Sequence, residues 1–300
     1  ILHLVARSNG AKTVDRFIDA LAQIEGAYAL VGLTNKKMIG VRDPLGIRPL
    51  VLGKLDGCYI LASETCALDI IGADFIREVE NGEVVVITKD EVKSYHPFPE
   101  KPRRHCIFEY IYFARPDSVV DGHSVYECRK SCGRQLASES NVQADMVIPV
   151  PDSGVPAAIG YAEESQIPFE LGITRNHYVG RTFIEPKQSI RSFSVKLKHN
   201  ANRALVEGKR IVLVDDSIVR GTTSVKIVQM MRDAGALEVH MRIAAPPITH
   251  PDFYGIDTPS KDQLLAANMD LEEMCKHLGA DSLAFLTVDG LYRALVEGKR

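Results

Sequence analysis

Residues 211–224 read IVLVDDSIVRGTTS, and this stretch decides the fold. Ile211, Val212, Leu213 and Val214 predict a buried strand. Two adjacent carboxylates, Asp215 and Asp216, stand at its C-terminal end. Ser217, Ile218, Val219, Arg220, Gly221, Thr222 and Thr223 follow as a turn that opens a helix. Open α/β sheets place ligands at the carboxyl ends of their strands. A turn rich in glycine and hydroxyls before a helix gathers backbone N–H groups around one point, and the helix dipole adds partial positive charge there. The pattern is that of a phosphate cradle, with Gly221 permitting close backbone approach and Thr222 and Thr223 supplying hydroxyl donors.

Two carboxylates beside a phosphate repel it unless they do other work. They can accept hydrogen bonds from sugar hydroxyls, and they can stand in the outer shell of a Mg2+ that neutralises a pyrophosphate. A ribose bearing a 5-phosphate and a 1-pyrophosphate meets both needs.

Working outward, strand expectations at Met146–Val150, Phe169–Ile173, Ile211–Val214 and Val239–Ala244 alternate with helices over Val155–Glu164 and Ser224–Ala234. Gly235 is placed to cap the second helix. A further helix and strand are expected over Lys261–Leu278 and Ser282–Val288. That alternation predicts a mostly parallel sheet flanked by helices. The first hundred residues read differently. Short apolar runs at Ala27–Leu33, Met38–Val41, Leu50–Leu52, Cys58–Ala62 and Val84–Ile87 are broken by turn formers, which predicts stacked antiparallel sheets. Tyr95–Arg104, with three prolines, is the expected linker. The expected division is therefore residues 1–100 and 101–300.

The whole chain adds bounds. It has 300 residues, 45% apolar and 25% charged, with a net charge of −3. Such a balance gives no general attraction to nucleic acid or to an acidic membrane, and no apolar run is long enough to span a bilayer. The start, ILHLVARSNG, lacks the order of a signal peptide and reads like the middle of a helix, so upstream residues are expected. Six cysteines form no CxxC pair, which favours free thiols in a reducing cytoplasm. Cys58 and Cys66 are read as core thiols. The octapeptide RALVEGKR occurs at 203–210 and again at 293–300 with no period to extend it.

VLVDDSIVRGTT resembles the signature of type I phosphoribosyltransferases. The surrounding text is similar to the amidophosphoribosyltransferase (glutamine phosphoribosylpyrophosphate amidotransferase) family: CIFEYIYFARPDS at 106–118, NHYVGRTFI at 176–184, NANR at 200–203, FYGID at 253–257, RDPLGIRPLVLG at 42–53 and LASETCALDIIG at 61–72. The resemblance covers essentially the whole chain. It implies an α/β type I phosphoribosyltransferase domain preceded by a partial N-terminal-nucleophile glutaminase domain of αββα layering. It implies formation of phosphoribosylamine and pyrophosphate from phosphoribosyl pyrophosphate and ammonia, the ammonia coming from glutamine in a longer chain. This is the first step of purine synthesis, in the cytoplasm.

The resemblance also assigns roles. Asp215 and Asp216 would bind the ribose hydroxyls and help hold Mg2+; Ser217 to Thr223 would hold the 5-phosphate. Asp152, Ser153 and Gly154 would receive pyrophosphate. Family members often have a metal-binding Ser where Gly154 stands, and Arg where His177 stands. His177–Lys198 resembles a loop that closes on substrate, with Arg181, Lys196 and Lys198 meeting pyrophosphate charge and Tyr178 walling an ammonia path. Purine nucleotides are expected as inhibitors and a homo-oligomer as the assembly, with no nucleic-acid or membrane partner. The glutaminase nucleophile, a terminal Cys, would lie upstream of Ile1, so no glutaminase activity is expected of this chain. Cys106 matches one iron–sulfur ligand position, but Asp252 stands at the second, which argues against a cluster. The competing readings are a salvage phosphoribosyltransferase, and a non-catalytic phosphoribosyl pyrophosphate-binding fragment or sensor.

Overall fold

The computed structural model describes residues 1–176, 199–254, 256 and 258–297. The chain divides into two compact units. One comprises 1–109, 114–122 and 252–257, the other 110–113, 123–251 and 258–300.

The first unit contains α1 (Leu2–Arg7), α2 (Thr13–Leu21), β1 (Ala29–Leu33), β2 (Met38–Arg42), β3 (Val51–Leu55), β4 (Cys58–Ala62), α3 (Thr65–Ile71), β5 (Asp74–Glu78), β6 (Val84–Ile87), β7 (Val92–Tyr95) and the short β8 (Val119–Val120). Two antiparallel sheets result, in the orders β1-β2-β6-β7 and β4-β3-β5. Alternation along the strands builds the layers. Val84 and Val86 join Ile39, Val41 and the α2 residues Val14 and Leu21. Their neighbours Val85 and Ile87 point the other way and meet Leu50 and Leu52. Val51, between those last two, packs on Leu68 of α3 and on Ala73. The sequence of layers is helix, sheet, sheet, helix.

Polar groups lock this unit at one turn. The Asp43 carboxylate is fully buried and accepts from the backbone amides of Tyr28, Leu45, Ile47 and Arg48. Arg42, 2% exposed, donates to the carbonyls of Arg48, Gly46 and Val79 and pairs with Glu78 at 3.3 Å. The proline-rich stretch expected as a linker is fastened here instead. Tyr95 completes β7, Arg104 donates its amide to Leu45 O at 2.7 Å, and Arg103 pairs with Asp121 at 2.6 Å. Proline there prevents regular pairing without freeing the chain.

The second unit contains β9 (His123–Ser124), α4 (Val125–Glu139), β10 (Met146–Pro149), α5 (Val155–Ser165), β11 (Ile173–Arg175), β12 (His199–Ala201), α6 (Arg203–Val206), β13 (Arg210–Asp215), α7 (Thr222–Asp233), β14 (Glu238–Ile243), α8 (Leu265–Asn268), α9 (Leu271–Leu278), β15 (Ser282–Phe285) and α10 (Val288–Glu297). Its main sheet is parallel throughout, in the order β10-β13-β14-β15. Ile211 to Val214 have no exposed surface, as a central parallel strand covered on both faces requires. Ile211 and Leu213 pack with Ile227, Val228 and Met231 of α7 and with Met274 and Leu278 of α9. α5 covers the other face, with α4 lying on α5 and α10 on α4. Gly235, at φ +93°, ends α7 as expected, with Ala236 N bonded to Met231 O.

Three further expectations need correction. The helix expected over Lys261–Leu278 is instead a short turn followed by α8 and α9, parted at Met269 and Asp270. Phe169–Ile173 is not a strand. Phe169 makes one isolated bridge with Val147, and β11 begins only at Ile173, pairing antiparallel with β12. Pro168 has no N–H to extend the ladder. Cys58 is exposed at the start of β4, whereas Cys66 is buried as expected. None of the described helices is long and apolar enough to cross a membrane.

His105 makes the first unit acid-sensitive. Burial, then the charges of Arg42 and Arg103, push it from 6.5 down to about 4, against the pull of Asp121. Below its unfolded value only the unfolded chain takes up the proton, so stability present near neutrality is lost as pH falls from about 6.5 toward 4. Chemical denaturation at pH 7 and pH 4.5 should show His105→Asn losing less stability across that interval than the parent, by up to about 3 kcal/mol; equal losses would remove His105 as the cause.

Candidate functional site

The site lies at the carboxyl edge of the parallel sheet. β10 and β13 pair from Met146↔Ile211 to Pro149↔Val214, and the Val150 amide continues the ladder to Val214 O at 2.8 Å. Both strands therefore stop at the same level. The turn after β10, Pro151 to Gly154, lies beside the turn after β13, Asp216 to Gly221, and each opens a helix.

Asp215 and Asp216 are each 7% exposed. Burial, and then the charge of Asp216, hold the Asp215 carboxyl well above its usual range. Burial also raises Asp216, opposed by hydroxyl bonds from Ser153 and Ser217 and by the charge of Arg129. The Ser217 hydroxyl donates to Asp216 Oδ1 at 2.5 Å, and the Asp216 amide donates to Asp215 Oδ1 at 2.9 Å. Two like charges in one desolvated corner call for an external cation or hydroxyl donors.

The cradle is firm. Ile218 is buried, Val219 O accepts from the Leu265 amide at 2.9 Å, and Arg220 Nε donates to Gln263 at 3.1 Å. Gly221 is the N-cap of α7 at φ +75°, and no side chain caps that helix. Its first amides are thus left to a ligand acceptor, beside the exposed Thr222 and Thr223.

In the neighbouring turn Ser153 meets Asp216, and Asp152 forms an ion pair with Arg175 at the end of β11. Gly154 is the N-cap of α5, and a Cβ there would lie 2.5 Å from Val214 O and 2.8 Å from Val150 O. The fold is closed around a bare backbone at this position, so any side chain there requires those carbonyls to shift. Tyr178, Arg181, Lys196, Lys198 and the rest of 177–198 lie outside the described residues.

Arg129 on α4, 6% exposed, was not singled out in the sequence; it lines a small cavity with Asp216, Ser153, Cys132 and Ala157. No motif marks it. The available signal was register: it stands four residues after Val125 and seven before Leu136, on the buried stripe of its helix. Arg175 had no signal at all, because its partner Asp152 lies before α5, 23 residues earlier in the chain.

Comparison with known proteins agrees with this geometry. Residues 129–247 match the phosphoribosyl transferase domain family and residues 1–69 the glutamine amidotransferase domain family. Amidophosphoribosyltransferase of Rhizobium etli is 64% identical over 301 residues, covering 98% of this chain and 61% of that protein. The chain is thus similar to amidophosphoribosyltransferases along nearly its whole length. Arabidopsis thaliana amidophosphoribosyltransferase 1, chloroplastic, is 54% identical over 98% of this chain and 52% of its own length. The chain thus spans between half and two thirds of these relatives. A solved amidophosphoribosyltransferase structure, glutamine phosphoribosylpyrophosphate amidotransferase from Bacillus subtilis complexed with ADP and GMP, superimposes with a TM-score of 0.91 at 50% identity, over 98% of this chain and 65% of that one. The parallel-sheet domain and the preceding αββα layers are the architecture of this family.

Gly221 tests the cradle directly. An added Cβ would meet Leu265 Cδ2 at 2.8 Å, on a backbone at φ +75° that side chains resist. Gly221→Ala should cost about 1–3 kcal/mol of stability and weaken ribose 5-phosphate binding measured by calorimetry. Unchanged stability and binding would show that the turn is not held as tightly as described.

Proposed function

We propose that this chain transfers the phosphoribosyl group of phosphoribosyl pyrophosphate to ammonia, giving phosphoribosylamine and pyrophosphate, the amidophosphoribosyltransferase reaction that opens purine synthesis. The carrying observation is the parallel pairing of β10 with β13, which sets a buried carboxylate pair between two helix-opening turns. In this reading residues 101–300 are the transferase domain. Residues 1–100 are part of the glutamine amidotransferase domain, which supplies ammonia from glutamine in the longer relatives.

Ser217 to Thr223 hold the 5-phosphate through the free amides of α7 and the hydroxyls of Thr222 and Thr223. Asp215 and Asp216 accept the ribose hydroxyls, which fixes the sugar ring. The turn at Asp152, Ser153 and Gly154 receives the pyrophosphate through its backbone donors, while Arg175 offsets the Asp152 charge that would otherwise repel it. The buried, mutually repelling carboxylates suit a divalent cation. Mg2+, held through Asp215 and Asp216, would neutralise the leaving pyrophosphate. Arg181 and Lys198 are proposed to meet that same charge, with Tyr178 walling the ammonia path.

Ammonia forms the bond to C1 as the C1–O bond to pyrophosphate breaks, and the departing electrons go to the pyrophosphate oxygen. The residues do this by position and charge, with no covalent intermediate. The cradle also suits the phosphate of a purine nucleotide, and the Bacillus subtilis relative was solved with ADP and GMP. Such nucleotides are proposed as competitors of the donor.

Pyrophosphate release from phosphoribosyl pyrophosphate with Mg2+ is the test, using ammonium chloride and glutamine in parallel. Release with ammonium, reduced at least ~100-fold by Asp215→Asn, is the expected outcome. No release with either nitrogen source from folded protein would leave binding without catalysis and overturn the reading.

A further inference from the structure

The turn between β13 and α7 is not held by its own strand and helix alone. The short turn Lys261–Gln263 and α8 lie against it. Buried Leu265 donates its amide to Val219 O at 2.9 Å, and its side chain lies directly against Gly221. Asn268 Nδ2 knits this segment together by donating to Lys261 O at 2.9 Å and to Leu264 O at 2.7 Å. Arg220 stands between the two fastened residues, and its Nε donates to Gln263 Oε1 at 3.1 Å. The Arg220 side chain is exposed, and its terminal nitrogens have no partner among the described residues.

A guanidinium without a carboxylate, in a turn whose helix amides are also uncapped, marks that turn for an anion. A loose arginine samples many rotamers, and ordering it at the moment of binding costs affinity. A partner that takes Nε removes that cost in advance and leaves the terminal fork open.

We propose that Gln263 is a positioning residue for the donor's 5-phosphate: its side-chain oxygen holds the Arg220 guanidinium at the cradle before the ligand arrives, with the terminal nitrogens left for phosphate oxygens. This rests on the reading of Ser217 to Thr223 as the 5-phosphate site. It adds a residue 43 positions further along the chain than Arg220, outside both turns of the site. Gln263 touches no reacting atom.

The full chain is compared with Gln263→Met, Gln263→Glu, Arg220→Met and the double variant carrying Gln263→Met and Arg220→Met. The readouts are calorimetric binding of ribose 5-phosphate and, separately, of inorganic pyrophosphate with Mg2+, together with ammonium-dependent turnover and thermal midpoint. Both side chains are exposed, so the variants should fold with midpoints near the parent's. Gln263→Met should weaken ribose 5-phosphate binding about fivefold and raise KM for phosphoribosyl pyrophosphate by a similar factor, with kcat and pyrophosphate binding within about twofold of the parent. Gln263→Glu keeps an acceptor for Nε and should stay within about threefold. The double variant should bind ribose 5-phosphate no more weakly than Arg220→Met, because Gln263 acts only through that side chain.

Parent-like ribose 5-phosphate binding by folded Gln263→Met overturns the proposal. Equal losses toward both probes, or additive losses in the double variant, assign the bond to cohesion of the turn and overturn it as well. So does a Gln263→Met chain that fails to fold. A parent chain that does not bind ribose 5-phosphate overturns the reading of the cradle itself, which is seen without reference to any variant.

Discussion

The parallel ladder between Met146–Pro149 and Ile211–Val214 is the constraint on which the rest depends. Each strand is buried on both faces, so neither can slip by one residue without turning its apolar set around. Because they run in the same direction and end at the same level, their exits face the same solvent. The two turns that follow have no other place to go. The carboxylate pair, the cradle at Ser217 to Thr223 and the turn at Asp152 to Gly154 are thus fixed by hydrophobic register before any polar contact forms.

Electrostatics at that edge work against stability. Asp215 and Asp216 are desolvated beside each other, and only Asp216 gains help from Ser153, Ser217 and Arg129. The uncapped amides of α7 add positive potential but have no side-chain acceptor. Carboxylates short of cations and amides short of an acceptor suit the proposed ligand, a phosphorylated sugar with its metal.

Much of this was legible because burial writes itself into sequence as periodicity. The run Ile211 to Val214 followed by two aspartates and a glycine-bearing turn gave strand, loop and helix together, and the alternating runs in the first hundred residues gave the layered sheets. Some helices with a buried face escaped, α4 among them, because its buried stripe of Val125, Cys128, Cys132 and Leu136 also carries Arg129 and Ser131 and so does not read as an apolar period. Strands escaped for a different reason. β5 exposes Phe75 and Ile76, and β7 is an edge strand whose last three residues are exposed, so neither shows period-two patterning. Arg129 and Arg175 were hidden for another reason: their partners lie far away in sequence. The two copies of RALVEGKR show how little eight residues specify alone. In the first copy Val206 is fully buried and Gly208, at φ +74°, ends the helix before Arg210 enters β13; in the second, Ala294 is buried and the helix runs to Glu297.

Gly133 and Gly160 lie where α4 and α5 cross, and a Cβ on either would fall 1.9 Å from a carbonyl of the other helix, Ala157 O or Lys130 O. The two backbones touch directly. α4 brings Arg129 and α5 starts at the turn that holds Ser153, so this contact works as a spacer of fixed length beneath the site. Residues lining a binding surface can drift one at a time, because side chains have rotamers to spare. A backbone-to-backbone contact has none, and a single methyl there would pry the two halves of the support apart. Redesign of this chain for other donors is therefore free to alter the turns, but it inherits the distance between these helices unchanged.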